Sequence, residues 1–357
     1  MKINLVGGFL GSGKTTAISK ASKQLQHANK KVAVITNDQG KQLVDSSFMK
    51  SNNIPVSEVT NGCFCCNYDQ LNKQIHALFK IYKPDMIFAE SVGSCTDLIA
   101  TVAKPLEKFN LDLEIVISIF VDANLLASLL SAEDVIAENL KYIFEKQIEE
   151  ADILIINKID LVSNEVLSKI KMLMSDSQSG KMVIYQNSMK EKSIQQWLHT
   201  IEHFKQPAFR QSLELDYDQY GRGEAELAWF DKTIILKTPQ GDAITITEKF
   251  ILNIQNNLLD NKLSVGHLKF FIETDKYQMK ISFTNIQGLT HVDLPKHEAN
   301  EIRILINARI QTEPEILSQI IDDGLDLVID DHDCKVKVEH CSAFKPGIPS
   351  PTYRISN

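Results

Sequence analysis

The sequence lacks any apolar run approaching the ~20 residues that a membrane-spanning helix needs. It also lacks a basic surplus. Its 46 acidic residues outweigh 38 basic ones for a net charge of −8, which counts against a nucleic-acid partner. Cysteine is scarce, with six in 357 residues. They are not spread as a disulfide framework would need, because three stand at Cys63, Cys65 and Cys66, too close for ordinary bridges with one another. In a reducing compartment such a cluster reads as a metal or redox site. Strand-like residues follow Met1 directly, without a charged n-region and an apolar h-region, so the expectation is a cytoplasmic protein. Internal repeats and low-complexity segments are missing too. The remainder is ordinary for a globular chain, 43% hydrophobic and 24% charged, and the length suggests about two domains.

What is present begins near the start. Gly8-Phe9-Leu10-Gly11-Ser12-Gly13-Lys14-Thr15 has the form G-x-x-x-x-G-K-T. The apolar Ile3, Leu5 and Val6 precede it, and Ala17, Ile18, Ala21 and Leu25 follow at helical spacing. Strand, glycine-rich loop and helix are the context a phosphate-binding P-loop requires. The glycines let backbone N–H groups converge on a polyphosphate, the helix N-terminus adds partial positive charge, and Lys14 adds a full one. The Thr15 hydroxyl is placed to ligate Mg²⁺.

Further runs rich in Ile, Val and Leu recur at 32–36, 86–89, 115–121, 153–156 and 182–185 without alternating with polar residues. That pattern marks strands buried on both faces of a parallel sheet. Stripes of helical period lie between them: Leu71, Ile75, Leu78, Phe79 and Tyr82, then Ile136, Leu140, Ile143, Phe144 and Ile148. The expectation is an α/β P-loop NTPase domain over 1–205, with a doubly wound, mostly parallel sheet. A polar connector over 206–228 and a smaller α+β domain over 229–357 follow. In that second domain the order reads strand (229–237), helix (247–259), strands (268–273, 278–283, 302–308), helix (313–323) and a short strand (335–339), with an extended proline-rich tail from Pro346 to Pro351.

Asn157-Lys158-Ile159-Asp160 follows the run at 153–156. After a P-loop this is the pattern of a guanine reader. The Asp160 carboxylate accepts from guanine N1–H and the 2-amino group, whereas adenine offers it no such donors. Asn157 is expected on the other base edge, with the Lys158 stem over the ring. Glu90-Ser91-Val92-Gly93 ends a strand as E-x-x-G, so Glu90 can hold the Mg²⁺ shell and the Gly93 N–H can meet a γ-phosphate. Asn37-Asp38-Gln39-Gly40, with Asp45 beyond, reads as a first switch, and Asp38 and Asp45 are candidates for metal contact or for orienting the attacking water. No arginine stands by the P-loop, so slow intrinsic hydrolysis is expected, below about 1 s⁻¹ for the isolated protein.

Gly62-Cys63-Phe64-Cys65-Cys66 precedes a helix whose Asn67 and Gln70 have the spacing of a capping box. Cys65 and Cys66 then lie outside a helix N-terminus, where the thiolate is favoured. Three thiolates so placed suit Zn²⁺ or a similar ion. Cys95 is a candidate fourth or transient ligand. His332, Cys334, His340 and Cys341 form a second, weaker grouping better read as turn and packing residues.

Taken in order, Gly8–Thr15, Gly62-Cys63-Phe64-Cys65-Cys66, Glu90-x-x-Gly93 and Asn157-Lys158-x-Asp160 resemble the CobW family of GTPases. The resemblance is strong over roughly the first 200 residues and looser over the second half, which is similar to the CobW C-terminal domain. It implies kinship with the urease and hydrogenase nickel-insertion GTPases, in a class that often dimerises around nucleotide. It implies a metal chaperone that uses GTP to control delivery of zinc, cobalt or another ion to a client metalloprotein. By matching motif, Gly11, Ser12, Gly13, Lys14, Thr15 and Thr16 hold phosphate and Mg²⁺, Glu90 is the acidic switch residue and Asp160 the base reader. Cys63, Cys65 and Cys66 are the metal ligands. Asp38 stands where the family usually has Glu, so Lys14, Asp38 and Glu90 are the catalytic candidates. Asn-Asp-Gln-Gly in the first switch, the extra Cys95 and the missing histidine-rich loop resemble a divergent branch that includes nitrile hydratase activator-like proteins. The competing readings are a metal-free chaperone or reactivase for a corrinoid or other cofactor enzyme, with structural cysteines, and a small-molecule kinase, against which Asn157-Lys158-x-Asp160 argues.

Overall fold

The structure, a computed structural model, describes residues 1–38, 40, 43–110, 112–130, 136–177, 181–284 and 292–357. Gln39 of the first-switch stretch lies outside them. The chain divides into two compact units, one of Met1–Gln39, Asn52–Gly223 and Ile348–Asn357, the other of Gly40–Ser51 and Glu224–Gly347.

In the first unit the non-alternating runs are strands. They are β1 (Lys2–Gly7), β2 (Val32–Asn37), β3 (Val56–Val59), β4 (Met86–Glu90), β5 (Glu114–Asp122), β6 (Ile153–Asn157) and β7 (Met182–Gln186). They form one seven-stranded sheet in the order β3-β2-β4-β1-β5-β6-β7, parallel at every pairing. A parallel sheet is covered on both faces, which is why Ile3, Leu5, Val32 to Ile35 and Ile153 to Ile156 are all buried without alternation. The helices before residue 228 are α1 (Lys14–His27), α2 (Val44–Ser51), α3 (Tyr68–Tyr82), α4 (Lys104–Phe109), α5 (Ala123–Leu130), α6 (Glu138–Glu149), α7 (Asn164–Ser177), α8 (Glu191–His203) and α9 (Tyr217–Ala225). β1 sits centrally between β4 and β5, and the chain winds outward on either side of it. Its C-terminal end is therefore the topological switch point where ligands of doubly wound sheets gather. Short, half-polar β3 was not expected from the sequence, yet it carries the thiol loop to the same edge.

The connector expected over 206–228 is packed structure rather than a free linker. Arg210 is buried, pairs with Glu107 and with Asp152 (2.8 Å), and donates to the Ile115 carbonyl at 2.6 Å. Tyr220 of α9 is fully buried. Glu214, Asp216, Asp218 and Arg222 face solvent, but the Arg210 charge is buried and paired. The contiguous division into 1–205, 206–228 and 229–357 also differs from the observed units, because 40–51 belong to the second and 348–357 to the first.

The second unit is an antiparallel sheet of β8 (Ala228–Lys237), β9 (Val265–Glu273), β10 (Gln278–Phe283), β11 (Glu301–Ile310) and β12 (Lys335–Phe344), ordered β10-β9-β11-β8-β12. Helices α10 (Ala243–Asp260) and α11 (Pro314–Asp331) bury its Leu268, Phe270, Ile304 and Ile306. α11 outruns the expected stop at Gly324, because that glycine serves packing. A Cβ there would come within 3.2 Å of Ile254 on α10.

The alternate face of β9 presents Lys269 and Phe271, and α2 occupies it. Val44 packs with Phe271 and Leu305, and its N–H donates to Asn307 Oδ1 at 2.9 Å. Both carboxylate oxygens of Asp45 are engaged, by Lys269 (2.7 Å) and Lys280 (2.6 Å). Burial alone would raise the Asp45 carboxyl, but the two ammonium groups together hold it well below the carboxylate range. Asp45 is thus an anchor of α2 within the C-terminal unit, and the expectation that it meets metal or water is corrected. No helix among the described residues is long and apolar enough to cross a membrane.

Candidate functional site

β1 delivers the P-loop, and α1 opens at Lys14 behind Gly13 with neither a side-chain cap nor an acidic residue in its first turn. A helix start without a side-chain cap or an acidic residue suits a phosphate site. Gly13 has φ +93°, and a Cβ there would lie 2.4 Å from Asn157 Nδ2. The Lys14 ammonium folds back over the loop, donating to the carbonyls of Gly8 and Phe9. The Thr15 hydroxyl donates to Glu90 Oε1 at 2.7 Å, so a hydroxyl and a carboxylate converge at the ends of β1 and β4. Thr16 is half-buried in the next position of α1. Gly93 lies against the P-loop, where a Cβ would meet Leu10 at 2.7 Å. Asp38 is half-buried just past β2.

Asn157 does not offer its side chain to a base edge as expected. Its Nδ2 donates to the Ser12 carbonyl at 2.8 Å, and its Oδ1 accepts from the Ser188 hydroxyl (2.8 Å) and N–H (3.2 Å). It braces the P-loop against the segment after β7. Lys158 has φ +61°, and its ammonium pairs with Asp122 at 2.7 Å, which fixes the stem. Asp160 is exposed.

The thiol loop hangs from Asn37. The Asn37 amide donates to the carbonyls of Val59 (3.0 Å) and Gly62 (2.8 Å), and its oxygen accepts from the Phe64 N–H (2.8 Å). Cys63 Sγ lies 2.7 Å from Cys65 Sγ and 3.2 Å from Cys66 Sγ, and Cys65 and Cys66 are 3.7 Å apart. Hydrogen bonds from Cys65 and Cys66 hold the Cys63 thiol well below its usual range, while the same contact raises Cys65 and pushes Cys66 up to about 11. The thiolate is therefore favoured on Cys63, not on Cys65 and Cys66 as the helix-terminus argument expected. The capping box is not formed either, since the Asn67 amide donates instead to the Thr60 carbonyl at 3.2 Å. Residues 348–357 strap this loop. Thr352 donates its N–H to the Cys65 carbonyl and its hydroxyl to the Cys66 carbonyl, both at 2.8 Å, and Tyr353 packs edge-on to Tyr68.

Beyond Glu90, Gln147 of α6 donates to the carbonyls of Gly93 (3.0 Å) and Cys95 (2.8 Å). Next on the same face, buried Glu150 accepts from the Ile99 N–H (3.0 Å) and the Thr96 hydroxyl (3.1 Å). Burial pushes the Glu150 carboxyl up to about 8, with the Asp97 charge adding to it against those hydrogen bonds. The folded state thus binds a proton that the unfolded chain releases above its ordinary value of about 4.3, and stability falls as pH rises from there to about 8. Glu150→Gln is expected to flatten that slope, with no gain at pH ~4 and a gain of up to about 5 kcal/mol at pH ~8.5, read by urea unfolding at both values.

Residues 2–185 match the family described as CobW/HypB/UreG, nucleotide-binding domain. The chain belongs to the CobW/HypB/UreG family. The zinc chaperone YeiR of Escherichia coli (strain K12) is 30% identical over 167 residues, 46% of this chain and 48% of that protein. The zinc chaperone CobW of a Sinorhizobium species is 29% identical over 202 residues, 50% of this chain and 56% of that protein. The chain spans about half the length of these curated relatives. Among solved structures, HypB from Helicobacter pylori in complex with nickel aligns over 58% of this chain and 90% of its own, at 17% identity and a TM-score of 0.41.

Within the CobW/HypB/UreG region the structure brings Lys14, Thr15, Glu90, Gly93 and Asn157 around one loop, and Cys63, Cys65 and Cys66 into one cluster. No other group of three His, Cys, Asp or Glu residues among the described residues could hold an ion. His332 lies beside Lys249 and Asp242, and Cys334 donates to the Val328 carbonyl. Sequence reasoning missed Asn37 as the thiol-loop anchor, Asp122, Gln147, Ser188 and Thr352. Only Asn37 carried a signal, since it closes a strand at Asn-Asp-x-Gly; the others act through contacts far along the chain.

Proposed function

We propose that this member of the CobW/HypB/UreG family is a GTP-hydrolysing metal chaperone that carries zinc, cobalt or a similar transition ion to a client metalloprotein. The observation that carries the reading is the grouping of Cys63, Cys65 and Cys66, with sulfurs within 4.8 Å of one another, on a loop at the strand ends that also bear the P-loop and Glu90. The names of the two relatives, both zinc chaperones, support the same class.

On this reading the N–H groups of Gly11, Ser12, Gly13, Thr15 and Thr16 cradle the phosphates, with Gly8 giving the loop its first turn. Lys14 exchanges the Gly8 and Phe9 carbonyls for phosphate oxygens. The Thr15 hydroxyl and Glu90 carboxylate, already in contact, are a hard-oxygen pair that fits Mg²⁺, which when bound neutralises charge on the departing phosphate. Gly93 is assigned the γ-phosphate contact and Asp38 the attacking water. Asp160 reads guanine, while the Lys158 stem, fixed by Asp122, covers the ring. Cargo meets the Cys63 thiolate first. Its capture drives protons off Cys65 and Cys66, so uptake tightens as pH rises.

Zinc competition against a chromophoric chelator, with GTP and Mg²⁺ present, tests the reading. The wild type should bind one ion per chain below micromolar, and Cys65→Ser/Cys66→Ser should lose that affinity by about 100-fold or more. Equal, weak binding by both proteins would overturn it.

A further inference from the structure

Cys95 is the cysteine that the thiol loop leaves over. It stands in another segment, just past Gly93, and its side chain is 2% exposed. Its thiol hydrogen-bonds that of Cys63, the same sulfur that meets Cys65 at 2.7 Å and Cys66 at 3.2 Å. Cys63 is thus the hub of four sulfurs drawn from two segments.

The placement of Cys95 is fixed from both sides. Its N–H donates to the Val92 carbonyl at 3.0 Å, and its carbonyl accepts from buried Gln147 at 2.8 Å. Glu150, on the same side of the helix, holds Thr96 and Ile99. Sulfurs at about 2.3 Å from a tetrahedral ion lie about 3.8 Å apart. Cys65 and Cys66 already stand at 3.7 Å, while Cys95 lies outside the group of sulfurs within 4.8 Å of one another, so closing the site takes an outward step of the Cys63 sulfur and a turn of the Cys95 side chain toward Cys65 and Cys66.

We propose that Cys95 supplies a fourth thiolate, so that the cargo ion sits in an all-sulfur tetrahedral site assembled from the thiol loop and the segment after Glu90. The inference rests on the metal-chaperone reading and deepens it. Four thiolates select soft and borderline ions over those that favour nitrogen and oxygen. They also close the coordination sphere, so cargo leaves only when a sulfur withdraws. Cys95 is the sulfur with the shortest run of chain to Glu90, whose carboxylate takes the Thr15 hydroxyl.

The probe is Co²⁺, added anaerobically at one equivalent to the full chain as wild type, Cys95→Ser, Cys95→Ala and Cys66→Ser. Sulfur-to-cobalt charge-transfer intensity scales with the number of Co–S bonds, and the visible ligand-field bands report tetrahedral geometry. Both Cys95 variants should lose about a quarter of the charge-transfer intensity, as Cys66→Ser does, and bind Co²⁺ at least ~10-fold more weakly. The wild type should match a four-thiolate reference peptide rather than one with three thiolates and a water, a comparison that needs no substitution and stands even if a variant fails to fold. Full intensity and affinity in the Cys95 variants, with both reduced in Cys66→Ser, would overturn the fourth ligand and leave the three-thiol reading intact. No charge-transfer band in any protein, the wild type included, would overturn both.

Discussion

Gly13→Ala is expected to abolish useful nucleotide binding, with GTP affinity falling about 100-fold or more. The backbone at Gly13 has φ +93°, a conformation that costs an L-residue about 1–2 kcal/mol. The added methyl would also fall 2.4 Å from Asn157 Nδ2, and overpacking of that kind costs about 1–3 kcal/mol. Asn157 cannot simply step aside, because its two ends hold the Ser12 carbonyl and Ser188. Either the P-loop shifts and its N–H groups lose their aim, or the brace breaks. Titration with a fluorescent GTP analogue, beside circular dichroism to show that the variant is folded, checks this. Near-normal affinity would mean that the loop is not the phosphate site.

The second large effect concerns the base. Asp160→Ala is expected to cut GTP affinity by about 10²–10⁴-fold and to erase most of the preference over ATP, since two hydrogen bonds to a charged group are worth about 1.5–3 kcal/mol each. ATP affinity should hardly change, because adenine offers that carboxylate no donors. The exposure of Asp160, against the full engagement of Asn157 and the Lys158–Asp122 pair, leaves it as the group of the motif open to a ligand. Competition between GTP and ATP in wild type and variant reads the effect directly. Equal losses for both nucleotides would assign Asp160 to the scaffold.

The sheet was legible because strands buried on both faces leave a run of apolar residues that needs no partner to be recognised, as at 32–36 and 153–156. The P-loop was legible because its glycines, lysine and threonine are consecutive. What escaped the sequence was long-range pairing. The stretch 206–228 looked like a connector because of its polar composition, yet the Arg210 charge within it is buried and met by Glu107 and Asp152. Asp45 looked like a switch residue because of its distance from Asn37, yet Lys269 and Lys280 claim it from more than two hundred residues away. β3 was too short and too polar to announce itself, though the thiol loop depends on it. The thiolate was expected on Cys65 and Cys66 from a helix terminus; which sulfur sits at the hub is set by three-dimensional contact, and that sulfur is Cys63. Asn157 was given to the base because of its motif, while its amide is needed inside the protein to hold the loop that holds the phosphates.

The claim that these thiols carry an ion is tested most directly by zinc K-edge X-ray absorption on the zinc-loaded wild-type chain. The account predicts a shell made of sulfur alone at about 2.3 Å. A shell dominated by nitrogen or oxygen at about 2.0–2.1 Å, or a chain that retains no zinc, would contradict it.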